Sequence, residues 1–410
     1  MQYLIYLTIF LIPFYFLRFS LLGRIPTNVF ELAVVLVFLL TVAKSLFDRQ
    51  LMKKKFDWGG ILPYFLLVAV GASILLSQDL LSALGIFKGW FLIPVLFYLS
   101  IINTFDRENL AKLSVPMLVS VTVVSVWAIL QKFGLITTLF YQSGDPSFNQ
   151  YLAGHFRVFG PFESPNYLAM FIIPATLLTI PAFSLTQNKL VKVFLALLYL
   201  LPLAALFLSG SRGGVIGLVF ALLVYLFVSK KDKFFNSAVL STGFAIVVFL
   251  ALAFAAYKFG FNPKNDLIRI EIYKYSLQLL RENWRFGIGL GDFYKSIAAI
   301  NPLADSFRTF ALPYALHPHN IFLSFWLNIG FAGFLVFVAI IISFFWQMFK
   351  NQSKSLLWAG ALMAMIAILT HGMFDTTYFK NDLSALFWLT MAMGYILTQN
   401  DKYQISNDNR

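Results

Sequence analysis

The stretch His317-Pro318-His319-Asn320 is followed directly by the apolar run IFLSFWLNIGFAGFLVFVAIIISFF, residues 321 to 345. A run of this length without a charged residue can cross the roughly 30 Å hydrocarbon core of a bilayer as a helix. The four residues before it end a mostly polar segment, 257 to 320, inside a chain that is otherwise almost continuously apolar. We therefore predict that His319 lies where a membrane helix emerges into water.

The composition of the whole chain is that of an integral membrane protein. Of its 410 residues, 60% are hydrophobic and 12% are charged, and the mean hydropathy is +0.78. Helix-length apolar runs recur, whereas the alternating segments of a β-barrel are not seen. We predict an all-α, polytopic fold that forms a single membrane domain over residues 1–410. The chain has no cysteine, which excludes disulfides and thiolate chemistry.

Twelve apolar runs predict about twelve membrane spans. They are residues 3–17, 28–47, 59–77, 85–102, 110–130, 166–185, 190–208, 212–229, 237–257, 321–346, 355–371 and 382–398. If both termini are cytoplasmic, the cytoplasmic segments hold sixteen of the 31 Lys and Arg residues, and the short outer loops hold five. This asymmetry follows the positive-inside rule, so we assign the net charge of +13 to topology rather than to nucleic acid.

Two long connections then lie on the outer side, 131–165 and 258–320, while the tail 399–410 is expected to be loose and cytoplasmic. Within the second connection, Ile268, Ile272, Tyr275 and Leu279 recur at helical spacing. We therefore expect a helix there that lies along the membrane surface.

Candidate site residues begin with Ser209-Gly210-Ser211-Arg212-Gly213-Gly214, at a predicted turn between two spans. Glycines allow close backbone approach, a helix start favours an anion, and a guanidinium suits phosphate. Ser211, Arg212 and Gly213 are thus candidate phosphate ligands. The alternative is a tight helical hairpin in which the glycines serve packing and Arg212 reaches the interface.

A second glycine-rich stretch, Gly287-Ile288-Gly289-Leu290-Gly291, is superficially like a dinucleotide-binding loop. No βαβ pattern surrounds it, so we interpret it as a turn that follows the surface helix.

His319 precedes a helix for which Asn320 is a suitable N-cap, and a cation is disfavoured at that end of the helix dipole. A neutral imidazole there is a candidate general base, with an interface anchor as the alternative. We expect no metal on His317 and His319, because no dense carboxylate cluster is near them in sequence.

Arginines at 157 and 269 complete a set on the outer side, although each alone could be a surface ion pair. His371 and Asp375 are expected on the same side, where either could orient a partner or cap a helix.

Four blocks resemble the O-antigen ligase and polymerase superfamily of bacterial membrane glycosyltransferases. The blocks are R-x-x-G-x-F-x-x-P-N at 157–166, S-G-S-R-G at 209–213, an arginine-bearing helix leading to G-x-G-x-G at 269–291, and H-N-x-x-L with G-x-x-G at 319–333. The layout of twelve spans with a long outer loop is also similar to that of this GT-C-like family. Pro161 departs from the pattern, which leaves the role of Arg157 less defined.

The resemblance implies transfer of a glycan from an undecaprenyl-diphosphate carrier to an acceptor hydroxyl, at the outer face of the bacterial cytoplasmic membrane. It implies catalytic roles for Arg212, Arg269 and His319, with Arg157, Ser211, Gly213 and Asn320 binding the donor, and neither cofactor nor metal. The acceptor could be a lipid A core, a glycan, a protein or a wall polymer. The blocks do not separate a ligase from a polymerase.

A flippase for lipid-linked oligosaccharides is the alternative from another class. It would also need a basic cavity, but it would be expected to carry charges inside several spans and internal pseudo-symmetry, which the sequence does not display.

Overall fold

The computed structural model describes residues 1–21, 25–47, 56–136, 157–228, 263–300, 317–353 and 355–399. These residues are mostly helical. The sheet found among them is a two-stranded antiparallel hairpin of β1 (Arg18–Leu21) and β2 (Ile25–Asn28), in which Arg18 pairs with Asn28. The predicted helical membrane protein is confirmed at this level.

The helices of the N-terminal half follow the apolar runs. They are α1 (Gln2–Leu11) with the 3₁₀ turn Ile12–Phe14, α2 (Val29–Phe47), α3 (Leu62–Ile74), α4 (Leu80–Ile86), the π-helix Phe87–Leu92, α5 (Ile93–Ile102), α6 (Arg107–Leu110), the 3₁₀ turn Ala111–Leu113, and α7 (Ser114–Lys132).

The C-terminal half continues in the same way. Its elements are α8 (Pro165–Leu178), the 3₁₀ helix Ile180–Leu185, α9 (Lys189–Leu198), α10 (Leu200–Ser209), α11 (Arg212–Val228), α12 (Pro263–Asn283), α13 (Phe293–Ile300), α14 (Ile321–Lys350), α15 (Leu356–Gly372) and α16 (Asn381–Thr398).

Described helices overlap eleven of the twelve predicted spans, and the twelfth, 237–257, lies outside the described residues. Six helical segments among the described residues are long and apolar enough to cross a membrane alone, and four shorter apolar helices accompany them. The membrane character is thus supported, while the number of twelve spans remains a prediction.

The run at 321–345, which was predicted to be one membrane span, is not one straight helix. Gly330 has φ 70° and ψ −179°, which breaks α14. In a straight helix Phe325 and Phe337 would lie about 18 Å apart, but their rings stack with centroids 3.6 Å apart. His319 therefore precedes a short helix, 321–329, that folds back on 331–350. The second part has about 30 Å of length, which is enough to span alone.

A helix is present at the predicted position, as α12, and its apolar face packs inward. Ile272 and Leu279 are buried against Leu327 of α14 and against α13, whereas Lys274, Gln278 and Arg281 are exposed. The side chain of Ile268 is not among those that the structure describes. This packing fixes α12 beside the segment that carries His319.

The last two helices form the centre of the bundle. α15 packs along α8 and α11, and α16 packs along α5. Most side chains of both helices are buried, including Trp358 and Trp388. The loop 373–380 that joins them is consequently held at the middle of one end of the bundle, where the polar residues gather.

Candidate active site

Asp375 is the centre of the polar cluster, and it is 3% exposed. Its Oδ1 lies 3.2 Å from Nε2 of His317 and 3.1 Å from Nδ1 of His319. The same oxygen accepts a 2.9 Å hydrogen bond from the backbone N–H of Thr376. Two imidazoles thus converge on one carboxylate oxygen.

The other oxygen, Oδ2, faces the rest of the site. It accepts a 3.0 Å hydrogen bond from Nδ2 of Asn166, and Nη2 of Arg269 lies 3.9 Å away. Both carboxylate oxygens therefore have donors, as a buried charge requires.

This environment keeps Asp375 ionised. Burial alone would raise the pKa of the carboxyl, but His319, His317 and their hydrogen bonds outweigh it and hold the pKa well below its usual range. Burial also lowers the pKa of His317, although the hydrogen bond to Asp375 opposes this. An ionised carboxylate accepts, so the ring nitrogen of His319 that faces it, Nδ1, carries the proton. In the neutral imidazole, Nε2 is then the acceptor nitrogen of the ring.

His319 itself has an uncommon backbone conformation, with φ 49° in the left-handed region. Non-glycine residues in this region are rare and cluster at functional sites. Asn320 then caps the helix, since its Oδ1 accepts from the N–H groups of Phe322 and Leu323 and its Nδ2 donates to the carbonyl of Met373. The N-cap prediction is confirmed, and both ends of the Asn320 amide serve structure.

Helix α12 brings two residues to the cluster from one face, because residues four apart lie one above the other. Arg269 reaches Asp375, and Tyr273 donates a 2.9 Å hydrogen bond to the carbonyl of His319. The side chain of Arg269 is 31% exposed, so part of its guanidinium faces solvent. Tyr273 was not among the residues selected from sequence, although its spacing from Arg269 was the available signal.

Arg157 points inward. Its Nε donates to the carbonyl of Ser209 at 2.7 Å, and its Nη2 donates to Oδ1 of Asn166 at 3.1 Å. Asn166 in turn donates to Asp375. These contacts favour a structural role, in which Arg157 holds Asn166 and the Ser209 carbonyl in place, over the binding of the glycan donor that the resemblance implied.

The Ser209–Gly214 stretch is a tight connection between α10 and α11. Gly210 closes α10 in the left-handed conformation, with φ 60°. Ser211 is 1% exposed, and its hydroxyl accepts from the N–H of Gly214 as a helix cap. Gly213 lies against the ring of His371, where an added Cβ would be 2.8 Å from Cδ2. Ser211 and Gly213 therefore have structural roles, and the packing alternative fits them.

The same contact locates Arg212. Gly213 adjoins it and touches His371, whose carbonyl accepts the backbone N–H of Asp375 at 3.1 Å. The first turn of α11 is thus linked to Asp375 through His371. The starts of α8 and α14 lie at this carboxylate, through Asn166 and His319, and their positive dipole ends favour an anion.

The Gly287–Gly291 stretch is a turn that follows α12, as predicted, and it packs closely against α14. A Cβ on Gly287 would lie 2.4 Å from the carbonyl oxygen of Leu327, which only glycine avoids. The N–H of Ile288 donates to the same oxygen at 2.7 Å. The turn therefore secures the His319 helix.

His317, His319 and Asp375 could also hold a metal ion, because their ligand atoms lie within 4.8 Å of one another. Two histidines and a carboxylate suit zinc-type ions. The same atoms satisfy one another as hydrogen bonds around an ionised carboxylate. The expectation of a metal-free site remains a prediction.

Residues 196–338 match the O-antigen ligase family. This match confirms the superfamily resemblance. The part of the chain that matches, residues 196–338, contains Arg212, Arg269 and His319. Arg157, Asn166 and Asp375 lie outside this part. No curated protein gave a significant match to the chain.

Proposed function

We propose that the chain is an O-antigen ligase-like glycosyltransferase, which moves a glycan from an undecaprenyl-diphosphate carrier to an acceptor hydroxyl on the outer face of the cytoplasmic membrane. The observation that carries this proposal is the contact between His319 and Asp375 beside Arg269. His319 and Arg269 lie in the segment that matches the O-antigen ligase family. The Asp–His pair can activate a hydroxyl, and the arginines suit a diphosphate.

The acceptor is activated in one step. Asp375 holds the proton on Nδ1 of His319, so Nε2 accepts the proton of the attacking hydroxyl. The hydroxyl oxygen bonds to the anomeric carbon as the bond from that carbon to the diphosphate oxygen breaks. The electron pair of the broken bond leaves with the lipid diphosphate, and direct displacement inverts the anomeric centre.

The leaving group determines the role of the arginines. Negative charge grows on the diphosphate as the glycosidic bond breaks, so fixed guanidinium groups stabilise the transition state more than the ground state. Arg269 and Arg212 take this role, and Arg157 braces Asn166 behind them. Polymerisation of the same kind of glycan would use identical chemistry with a growing chain as the acceptor.

Transfer by the purified full-length chain tests the proposal. The chain in lipid is given an undecaprenyl-diphosphate-linked glycan and, separately, a lipid A core, a free glycan or the donor alone. We expect product with one hydroxyl-bearing acceptor, at a rate that a chelator leaves unchanged. Product from the donor alone, lengthened by repeat units, would identify a polymerase, and no product with any acceptor would reject the proposal.

His319→Gln separates catalysis from binding. Glutamine keeps the size and part of the hydrogen bonding but is not a base, so we expect transfer to fall by about 10² to 10⁴-fold. Donor binding, measured by titration with the lipid-linked glycan, is expected to persist. Retained transfer would exclude His319 as the base, and lost donor binding would make it a diphosphate ligand.

A further inference from the structure

The loop 373–380 contains two charged residues with different partners. Asp375 lies near its start and joins the histidines, while Lys380 lies at its end, immediately before α16. Residues 375 to 380 are all buried. A lysine is rarely buried to this degree unless it is paired, so Lys380 needs a physical explanation.

The ammonium of Lys380 is enclosed by one carboxylate and two aromatic rings. Its Nζ lies 2.8 Å from Oε2 of Glu163, 3.8 Å from the ring centroid of Tyr167 and 5.0 Å from that of Tyr15. Its side chain is 8% exposed, whereas that of Glu163 is 38% exposed. Glu163 thus lies at the edge of the bundle, and the ammonium of Lys380 lies inside it.

Two of the partners of Lys380, Glu163 and Tyr167, belong to the turn at the start of α8, which also contacts Asp375. Glu163 precedes Ser164, the N-cap of α8, and Asn166 and Tyr167 follow in its first turn. Asn166 donates to Asp375, while Glu163 and Tyr167 contact Lys380. The start of α8 therefore contacts both charged residues of the loop, Asp375 and Lys380.

Tyr167 also connects Lys380 to the histidines. Its ring centroid lies 6.2 Å from that of His317, which in turn lies 4.5 Å from that of His319. A displacement of Lys380 would release the Tyr167 ring on one side and the loop on the other. Both movements would change the distance between Asp375 and His319.

We propose that Lys380 is a positioning residue for the proposed transfer reaction, which fixes Asp375 against His319 through its contacts with Glu163 and Tyr167. The inference rests on the proposed function. A purely stabilising ion pair would be replaceable by uncharged residues of similar length at both positions, because a buried ion pair adds little net stability over such packing. A positioning lysine is not replaceable in this way, since the ionic link sets the loop geometry.

The test compares four variants of the full-length chain in lipid. Lys380→Met removes the charge and keeps the stem, and Lys380→Arg keeps the charge. Glu163→Gln with Lys380→Met removes both charges of the ion pair, so neither member is left without its partner if the single variant misfolds. Lys88→Met is the matched control, because Lys88 pairs at 2.8 Å with the buried Glu31 but contacts neither Asp375 nor Tyr167 in the described residues. Thermal unfolding of each variant is recorded beside its kinetics.

We expect Lys380→Met and the double variant to lower kcat by about 10- to 100-fold, as a misplaced catalytic group does. The KM for the donor is expected to stay within about twofold, because the diphosphate contacts remain. Lys380→Arg is expected to recover part of kcat, and Lys88→Met to keep it.

Parental kcat in the folded double variant would overturn the inference, as would an equal loss of kcat in Lys88→Met. A parent chain without transfer would instead reject the proposed function itself, and the two failures are therefore distinguishable.

Discussion

Asp375 accepts from both histidines, so its replacement by asparagine tests the core of the site. In Asp375→Asn the amide has one acceptor oxygen and a donor NH₂, which cannot hold the Nδ1 proton of His319 and accept from Asn166 in the same way. We expect transfer to fall by about 10²-fold or more. The measurement is kcat under donor saturation.

The control for this change is Asp292→Asn. Asp292 is also buried, at 2% exposure, and accepts a 2.6 Å hydrogen bond from the N–H of Gln78, away from the histidines. Its substitution is expected to lower thermal stability but not kcat of the folded fraction. If both variants lost kcat equally, the partnership of Asp375 with His319 would not be the cause.

The arginines are tested by substitutions that keep the charge. Arg269→Lys and Arg212→Lys retain a cation but lose the planar fork, so each is expected to cost on the order of 2 to 4 kcal/mol in the transition state. Arg281→Lys, exposed on the same helix as Arg269, is the control and is expected to be neutral. Near-parental turnover in both site variants, at matched expression, would contradict a diphosphate-binding role.

At this scale the sequence predicted what is local. The Asn320 cap follows from neighbouring residues, and the gathering of Arg269 and His319 was expected from the family resemblance. The inward direction of Arg157 could not be predicted, because it depends on Ser209, which is 52 residues away in the chain. The burial of Ser211 could not be predicted either, because it also depends on residues that are distant in the sequence.

The break in helix α14 at Gly330 can be tested by substitution. Gly330 has a backbone conformation that is essentially restricted to glycine, and a Cβ there would lie 2.5 Å from the carbonyl oxygen of Arg285. Gly330→Ala is expected to lower stability by about 1 to 3 kcal/mol from the backbone alone. The measurement is the thermal unfolding midpoint in detergent.

Gly71→Ala in α3 is the matched control, because among the described residues no atom beyond the neighbouring backbone of its own helix lies within 4 Å of its added Cβ. This change is expected to leave stability unchanged or raise it by up to about 1 kcal/mol. Equal midpoints for the two alanine variants would show that the break at Gly330 does not depend on glycine. The sequence could not reveal this break, since Gly330 lies inside an uninterrupted apolar run and single glycines are tolerated in membrane helices.

The predicted topology of the whole molecule can be tested by measuring its orientation in the membrane. The chain has no cysteine, so single cysteines can be introduced without background. Lys274 in α12 and Lys112 before α7 are both exposed. We expect Lys274→Cys to react with an impermeant thiol reagent from the outer side and Lys112→Cys only after the membrane is opened.

Reaction of both from the same side would overturn the predicted topology and, with it, the outer location of the site. Ser276 lies one turn from Ile272 and is fully buried, with its hydroxyl bonded to the carbonyl of that residue, so it would not report on orientation. Apolar periodicity predicted α12 but not which polar residue turns inward, because that depends on α13 and α14 packing against it.

The position of Asp375 between the last two helices also has a consequence for biosynthesis. His319 and Asp375 are 56 residues apart in the chain. At a synthesis rate of about 5 to 20 residues per second, the ribosome needs roughly 3 to 11 seconds to pass from one to the other. The histidine and both arginines of the candidate site are therefore synthesised before the carboxylate that His319 contacts. Only insertion of the final helix pair completes the site.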